Sequence, residues 1–260
     1  MTQPVAIITG AARGIGKATA LRLAAQHYRL ILSGRDAEVL TSVVTELEQA
    51  GGEAHAVTGD VRLPDTAENL VGAAIRLFGR LDSLVNAAGI AKNVPLLELD
   101  LETWNNVFAL HTTATFLCCQ AFAKALVKQG GGGSIVNLSS IAASMAMYST
   151  GAYGAAKAAV SSLTRALAVE LAQYDIRVNA VAPGPVATEQ LRKVYGQVGC
   201  ADRGRSIPMN RLAEPEEVAD LVAFLVGDGA HYLTGQVLTI DGGASAVGAY
   251  SYDTYKRNAP

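Results

Sequence analysis

Tyr153 and Lys157 are the residues whose types and spacing most directly suggest chemistry. Side chains four residues apart on a helix lie on one face, about one turn apart, so a phenol and an ammonium can share one small volume. The phenol of tyrosine has an ordinary pKa of about 10, and a nearby positive charge favours the phenolate. The pair therefore predicts proton transfer to or from an alcohol oxygen near neutral pH, although many helices contain this spacing by chance.

A glycine-rich turn near the start of the chain predicts a phosphate-binding site. It follows an apolar run at residues 5–8 and precedes residues 17–26, whose apolar positions have helical spacing. Backbone N–H groups at a helix N-terminus can approach a pyrophosphate only where side chains are absent. Gly10, Gly14 and Gly16 have the spacing G-x-x-x-G-x-G rather than the commonest dinucleotide fingerprint, G-x-G-x-x-G, so a plain tight turn is the alternative.

The end of the second predicted strand, residues 30–33, bears on which dinucleotide is bound. Gly34 occupies the first position after the strand, where a carboxylate would hold the ribose hydroxyls, and Arg35 follows it. Arg13, inside the glycine turn, is a second cation on the same side. Two guanidiniums favour the 2′-phosphate of NADP over NAD. Both could instead be solvated surface residues, and Asp36 could still bind the ribose of NAD.

Two further predicted strands end in residues that could hold parts of a ligand. Asp60 follows residues 54–57, at the edge of the sheet where ligands bind, so its carboxylate could accept a hydrogen bond from an adenine amino group. Capping of the next helix explains Asp60 equally well. In the fourth strand and its turn, residues 81–89, the small residues 87–89 leave room for a ribose, and Asn86 could tie the turn to a neighbouring strand.

Strand-like and helix-like segments alternate along the whole chain, which predicts a parallel sheet covered on both faces by helices. At 260 residues, without an internal repeat or a linker, the chain is expected to form a single α/β domain over residues 1–260. A helix is predicted over residues 101–128, interrupted at the threonine-rich residues 110–113. The seven predicted strands are residues 5–8, 30–33, 54–57, 81–89, 134–140, 176–181 and 238–243.

The composition predicts a small-molecule partner. The chain has 21 lysines and arginines against 23 aspartates and glutamates and no run of five like charges, so neither nucleic acid nor a membrane is expected as a partner. The first residues match neither a signal peptide nor a membrane span, which predicts a cytoplasmic location. Cys118, Cys119 and Cys200 match neither a disulfide framework nor zinc-ligand spacing, and no metal site is expected.

In order and spacing, these motifs resemble those of the short-chain dehydrogenase/reductase family, whose members have a doubly wound, Rossmann-type fold. The resemblance extends over residues 5–243, nearly the whole chain. It rests on residues 9–16, Asp60-Val61, Asn86-Ala87-Ala88-Gly89, Ser140 thirteen residues before Tyr153, the Tyr153 and Lys157 pair, Asn179, residues 183–188, residues 211–219 and Asp241-Gly242-Gly243.

The resemblance implies catalytic roles for three residues. Tyr153 would donate or accept the proton, and Lys157 would lower the pKa of Tyr153 while binding the nicotinamide ribose. Ser140, which the family interval selects over Ser139, would orient the substrate oxygen and stabilise charge that develops there.

The resemblance also implies the residues that bind the cofactor, NADP(H). The backbone of Val186 and the hydroxyl of Thr188 would hold the nicotinamide carboxamide. The whole implied set is Gly10, Arg13, Gly14, Ile15, Gly16, Arg35, Asp60, Val61, Asn86, Ala87, Gly89, Tyr153, Lys157, Pro183, Gly184, Val186 and Thr188.

His111 departs from the family pattern, because aligning Trp104 and residues 116–117 places it where the family has an asparagine. That asparagine steadies a water leading from the active-site lysine to solvent. The imidazole has one nitrogen to accept and one to donate, and it can titrate near neutral pH. We therefore interpret His111 as a fourth catalytic residue that replaces this asparagine in the relay from the lysine to solvent. The alternative is a structural histidine on the helix.

Substrate specificity is the least transferable part of the resemblance. The family places its substrate lid at residues 189–209, where cations would suit an anionic substrate, although solvated surface charge is the alternative. The lid cations are Arg192, Lys193, Arg203 and Arg205. The opposite wall, which would suit a sugar, a keto ester or a ring, would be formed by Ala142, Ser144, Ala146 and Met147.

Family members of this length are commonly homotetramers, which we also expect here. The C-terminal tail, residues 244–260, contains Tyr250, Tyr252 and Tyr255 and is expected to pack across a subunit interface or to be disordered.

The leading function is an NADP-dependent oxidoreductase acting reversibly on a secondary alcohol or ketone, such as a sugar, a polyol or a keto ester. The alternatives are a reductase of 3-oxoacyl groups on a carrier protein and, from another class, a dinucleotide-sensing regulator without turnover.

Overall fold

Short apolar runs form the strands, because helices cover both faces of the sheet and leave little room for polar side chains. The computed structural model describes residues 3–90 and 93–247, and all seven predicted strands are present in one parallel sheet. Their order is β3-β2-β1-β4-β5-β6-β7. The strands are β1 (Val5–Thr9), β2 (Arg29–Gly34), β3 (Glu53–Thr58), β4 (Ser83–Asn86), β5 (Gly133–Leu138), β6 (Ile176–Pro183) and β7 (Val237–Ile240).

Eight α-helices in the described residues connect and cover the strands. They are α1 (Gly14–Ala25), α2 (Ala37–Gln49), α3 (Pro64–Phe78), α4 (Leu101–Phe108), α5 (Ala114–Gln129), α6 (Gly151–Leu171), α7 (Glu189–Arg205) and α8 (Pro215–Val226). The order of the strands reverses at β1, which lies between β2 and β4. In an open parallel sheet the carboxyl edge at such a reversal is where ligands bind.

Alternate side chains of β1 enter two separate apolar layers. Ala6 and Ile8 pack with residues of α1, α2 and α8, whereas Val5 and Ile7 pack with residues of α3, α5 and α6. Cys118 and Cys119 belong to the second layer and are buried. The sheet is therefore rigidly held on both faces, and its carboxyl edge is left to carry the ligand-binding turns.

Two helices differ from the sequence-based expectation. The helix predicted over residues 101–128 is two α-helices joined by a π-helical turn, Ala109–Thr113. Such a turn contains one more residue than an α-helical turn, and it is often found at functional sites. The expected lid, residues 189–209, is mostly α7, which is kinked at Gly196, where φ is 63°.

Candidate active site

Close packing of α6 on the segment after β5 brings Ser140 to Tyr153. Gly154 makes this approach possible, since a Cβ there would lie 2.7 Å from the carbonyl oxygen of Ala142. The hydroxyl of Ser140 lies near the phenol of Tyr153, where it acts to lower the pKa of that phenol. The two residues therefore meet beside the carboxyl end of β5, as the family resemblance implies.

Ser139 has a different position from its neighbour Ser140. Its Oγ lies 2.7 Å from Oγ of Ser161 and donates a hydrogen bond of 3.2 Å to the carbonyl oxygen of Lys157. Ser139 thus ties β5 to the backbone of α6. The structure assigns the contact with the phenol to Ser140 and a structural contact to Ser139.

Lys157 is buried, and its ammonium donates a hydrogen bond of 2.6 Å to the carbonyl oxygen of Leu138. Burial lowers the pKa of Lys157 to about 8. Its Nζ lies 5.8 Å from the centroid of the Tyr153 ring. Lysine and tyrosine therefore share one side of α6, as predicted.

The expected lowering of the Tyr153 pKa by Lys157 is corrected by the structure. Burial raises the pKa of Tyr153, and the hydroxyl of Ser140 opposes this shift without cancelling it. The physical reason is that the Lys157 ammonium is directed to a backbone carbonyl rather than to the phenol oxygen. In this protein the hydroxyl of Ser140 is the group that favours the phenolate.

The imidazole of His111 packs edge to face against the ring of Tyr153, with 5.2 Å between the ring centroids. His111 is 2% exposed, and its Nε2 lies 2.9 Å from the carbonyl oxygen of Ile90. Burial, followed by the positive charge of Lys157, lowers the pKa of His111 to about 3. The expectation that His111 titrates near neutral pH is therefore wrong, because an imidazolium would be desolvated at this position and would face an ammonium.

Glycines line the cleft at the reversal of the strand order. A Cβ on Gly10, which has φ 67°, would lie 2.7 Å from Cα of Ala88, and one on Gly14 would lie 3.2 Å from Cγ2 of Thr188. A Cβ on Gly16 would collide with the carbonyl oxygen of Gly10. The turn is thus a cradle that side chains would fill, and its shape suits the close approach of a pyrophosphate.

The cleft has a volume of about 560 Å³, within the range of small-molecule sites. Ile90, Leu110, Gln190 and Val194 also line it, and sequence reasoning missed them because no motif includes them. The predicted residues outside this lining are Asn86, Tyr153, Lys157, Pro183, Gly184 and Val186. The predicted residues in the lining are Gly10, Arg13, Gly14, Ile15, Gly16, Arg35, Asp60, Val61, Ala87, Gly89 and Thr188.

Asn86 joins two strands rather than facing this cleft. Its Nδ2 donates a hydrogen bond of 2.9 Å to Oδ1 of Asn137, and Asn137 donates to the hydroxyl of Thr164 over 3.0 Å. These buried amides tie β4 to β5 and β5 to α6. The suggestion that Asn86 holds its turn against a neighbouring strand is confirmed.

Asp60 faces the cleft while it is paired with Arg62. The guanidinium and the backbone N–H of Arg62 both donate to the carboxylate, and the guanidinium is the main cause of the lowered pKa of Asp60. The N-cap residue of α3 is Leu63, so Asp60 does not cap that helix. Its position in the cleft agrees with the ligand-binding alternative.

Arg35, which follows β2, and Arg13, in the glycine turn, belong to the lining of the same cleft. Gly34 lines it as well. Asp36 caps α2 by accepting a hydrogen bond of 3.2 Å from the N–H of Val39, and its other oxygen lies 3.5 Å from Nη2 of Arg13. Both charged groups of that ion pair are exposed.

Most of the lid cations already have partners within the chain. Nη2 of Arg192 donates to both carboxylate oxygens of Glu214, and Nη1 of Arg205 lies 2.8 Å from Oδ1 of Asp202. The guanidinium of Arg203 lies over the ring of Tyr195, 3.8 Å from its centroid. Lys193 instead lines the glycine-rich cleft. The structure favours the alternative of surface charge for these arginines, because partners within or near α7 bind them.

A second cavity, of about 600 Å³, lies against the first turns of α6. Its described lining contains no charged side chain. The four residues predicted for the wall opposite the lid, Ala142, Ser144, Ala146 and Met147, all line it, together with Leu96 and Tyr148.

Within residues 3–90 and 93–247, no helix is long and apolar enough to cross a membrane. No group of three or more potential metal-ligating side chains is found in that part of the chain either. The tail residues Tyr250, Tyr252 and Tyr255 lie outside the described residues.

The sheet and its glycine-lined cleft define a Rossmann-type α/β protein. The family model described as enoyl-(acyl carrier protein) reductase matches residues 10–245. The 3-oxoacyl-[acyl-carrier-protein] reductase of Synechocystis sp. is 40% identical over 245 residues, which cover 94% of this chain and 97% of that protein. The cis-4-hydroxycyclohexanecarboxylate dehydrogenase of Sinomonas cyclohexanicum is 42% identical over 244 residues, again 94% and 97% of the two chains.

A solved structure gives the same result. A variant of actinorhodin polyketide ketoreductase, solved with NADPH, superimposes with a TM-score of 0.89 at 35% identity, covering 94% of this chain and 98% of that chain. The chain belongs to the short-chain dehydrogenase/reductase family, a family of oxidoreductases that use a nicotinamide cofactor.

Proposed function

We propose that the protein transfers a hydride reversibly between NADP(H) and a secondary alcohol or ketone. The observation that carries this proposal is the placement of the Ser140 hydroxyl and the buried Lys157 ammonium close to the phenol of Tyr153. The cofactor supplies or accepts the hydride. Tyr153 gives a proton to the carbonyl oxygen in reduction and takes it from the alcohol in oxidation, and Ser140 orients that oxygen.

The preference for NADP(H) rests on Gly34, Arg35 and Arg13. No carboxylate follows β2 directly, and both guanidiniums line the glycine-rich cleft, where each can bind a 2′-phosphate. A solved relative that carries NADPH supports this choice. Higher kcat/KM with NADPH than with NADH is the expected result, and preference for the unphosphorylated cofactors would overturn the assignment.

The substrate is proposed to have a largely apolar body. The cavity beside α6 has small and apolar walls, and the lid arginines are bound to other groups. A ring or a keto ester suits such walls better than a sugar or a polyol does, because few polar side chains would satisfy the hydroxyls. The relative that acts on a hydroxycyclohexane carboxylate makes cyclic secondary alcohols the first compounds to test.

Reduction of 3-oxoacyl groups on a carrier protein is the second candidate, favoured by the relative from Synechocystis. An acidic carrier would need a positive surface at the cleft, and the pairing of Arg192 and Arg205 reduces that charge.

A dinucleotide-sensing regulator without turnover is less well supported, since Tyr153, Lys157 and Ser140 are all present. A homotetramer in the cytoplasm remains our expectation for assembly and location.

The test is a panel of cyclic alcohols, ketones, keto esters, sugars and 3-oxoacyl thioesters, each with NADPH, NADH and their oxidised forms. Tyr153→Phe should lower kcat by about 10²- to 10⁴-fold on the preferred substrate, because it removes the proton donor. Undiminished hydride transfer by Tyr153→Phe, or none by the wild type with any member of the panel, would overturn the proposed function.

A further inference from the structure

His111 carries a buried polar atom that has no partner in the described part of the chain. The residue is 2% exposed, and its Nδ1 makes no hydrogen bond. An unsatisfied buried acceptor is destabilising, and such atoms are rare in folded proteins. This one lies beside Tyr153, the proposed proton donor, with the two ring centroids 5.2 Å apart.

The contact of the other ring nitrogen decides the tautomer. Nε2 lies 2.9 Å from the carbonyl oxygen of Ile90, and a carbonyl can only accept, so Nε2 carries the ring proton. Nδ1 of this neutral ring is then an acceptor with a free lone pair. Burial and the charge of Lys157 lower the pKa of His111 to about 3, so the ring keeps this form at neutral pH.

The neighbouring side chains with protons to donate are directed elsewhere. The hydroxyl of Thr115 donates to the carbonyl oxygen of His111 itself, over 2.7 Å. The ammonium of Lys157 donates to the carbonyl oxygen of Leu138, in β5.

Gly89 packs against the imidazole on the side of Nδ1. A Cβ at this position would lie 2.9 Å from Nδ1 and 2.5 Å from Cε1 of His111. Gly89 also lines the glycine-rich cleft. The unpartnered nitrogen is therefore separated from the ligand-binding space by a residue that has no side chain.

We propose that Nδ1 of His111 accepts a hydrogen bond from a hydroxyl group of a bound ligand. The inference rests on the proposed function, which brings two kinds of hydroxyl to this edge of the sheet, those of the cofactor ribose and that of an alcohol substrate. A ketone has no hydroxyl to donate. Contact with the substrate would therefore strengthen binding of the alcohol relative to its ketone, whereas contact with the ribose would strengthen binding of the cofactor alone.

Two substitutions distinguish the contributions of the two ring nitrogens. His111→Asn keeps an acceptor near the position of Nδ1, and His111→Gln keeps a donor near the position of Nε2, within reach of Ile90. We expect His111→Gln to weaken binding of the hydroxyl-bearing ligand by roughly ten-fold and His111→Asn to retain most of it. Thermal unfolding of both variants checks that each one folds.

Binding is measured first by titrating NADPH and NADP⁺ without substrate, and then as KM for an alcohol and its ketone. Weaker cofactor binding by His111→Gln identifies the ribose as the donor, and an increase confined to the KM of the alcohol identifies the substrate. Equal values for His111→Gln and the wild type in all of these measurements would overturn the proposal.

A spectroscopic experiment tests the same contact in the unaltered protein. The chain has four histidines, so ¹⁵N-histidine labelling gives few signals, and those of His111 are identified by their loss in His111→Asn. The signal of the unprotonated Nδ1 should move to lower frequency on saturation with NADP⁺, or on addition of an alcohol to that complex. An unmoved signal in both complexes overturns the proposal even where hydride transfer is normal, whereas failure of the proposed function would appear as absent hydride transfer.

Discussion

The ammonium of Lys157 donates a hydrogen bond of 2.6 Å to the carbonyl oxygen of Leu138, the last residue of β5. The contact holds a cation inside the fold, on the side of α6 that carries Tyr153. This hydrogen bond does not fully compensate for the hydration that the ammonium loses on burial, because the pKa of Lys157 is still lowered to about 8. Because this shift is a difference between the folded and the unfolded chain, it has a measurable effect on stability.

We expect the wild type to gain stability relative to Lys157→Met between pH 8 and pH 10.5. Below the folded pKa of about 8 both states carry the charge, and the folded state bears the full cost of its desolvation. Above 10.5, the ordinary value, neither state is charged and this cost of about 3 kcal/mol is gone. Denaturant unfolding across this range measures the change. The solvent-exposed Lys128, replaced by Met, is the control, and parallel curves for wild type and Lys157→Met would contradict the prediction.

Acid should destabilise the wild type more than His111→Asn between pH 6.5 and pH 3. The folded pKa of about 3 lies below the ordinary 6.5, so the unfolded chain binds a proton that the folded chain excludes. The stabilising contribution of the neutral ring is complete above pH 6.5 and is lost as the pH falls toward 3. Unfolding free energies at several pH values test this, with the exposed His231→Asn as control. The same acid dependence in wild type and His111→Asn would refute it.

Ser140→Ala and Ser139→Ala should affect different properties. Removing the hydroxyl of Ser140 should lower kcat by roughly 10²-fold, because it removes a donor to the reacting oxygen. Removing that of Ser139 should lower the free energy of unfolding by about 1–2 kcal/mol, because the backbone of Lys157 and the hydroxyl of Ser161 lose a partner. Steady-state kinetics and denaturant unfolding separate the two effects. A larger loss of kcat in Ser139→Ala than in Ser140→Ala would contradict this prediction and assign the catalytic role to Ser139.

Arg35→Gln should raise the KM for NADPH by roughly ten-fold and leave that for NADH nearly unchanged, because only NADPH carries the 2′-phosphate. Arg22→Gln is the matched control. Arg22 lies on α1, is exposed and is paired with Asp220 rather than lining the cleft. An equal change in KM for both cofactors would mean that Arg35 does not bind the 2′-phosphate.

Gly89→Ala should destabilise the fold, whereas Gly72→Ala should not. An added methyl group at residue 89 would press against the imidazole of His111, and overpacking of this kind costs about 1–3 kcal/mol. Gly72 lies within α3 with open space around its Cβ position, so alanine there should be neutral or stabilising. Thermal unfolding of both variants provides the comparison. A similar midpoint in both would mean that the His111 ring can move aside.

The sequence by itself determined the sheet, the order of its elements and the candidate residues for the chemistry. Apolar runs, helical periodicity and glycine-rich turns are local signals, and they predicted all seven strands. The interval between Ser140 and Tyr153 selected the serine that contacts the phenol, and the spacing of Tyr153 and Lys157 placed both on one side of α6. The π-helical turn at Ala109–Thr113 was signalled only as an interruption by threonines.

Only the tertiary structure decided what the polar groups contact and whether they are charged. The Lys157 ammonium is directed to Leu138, nineteen residues away in the chain, and Arg192 is paired with Glu214, twenty-two residues away. The pKa of His111 depends on burial and on Lys157, a residue of another helix. Local patterns contain none of these distances, because a pKa is determined by solvation and by neighbours that the fold brings together.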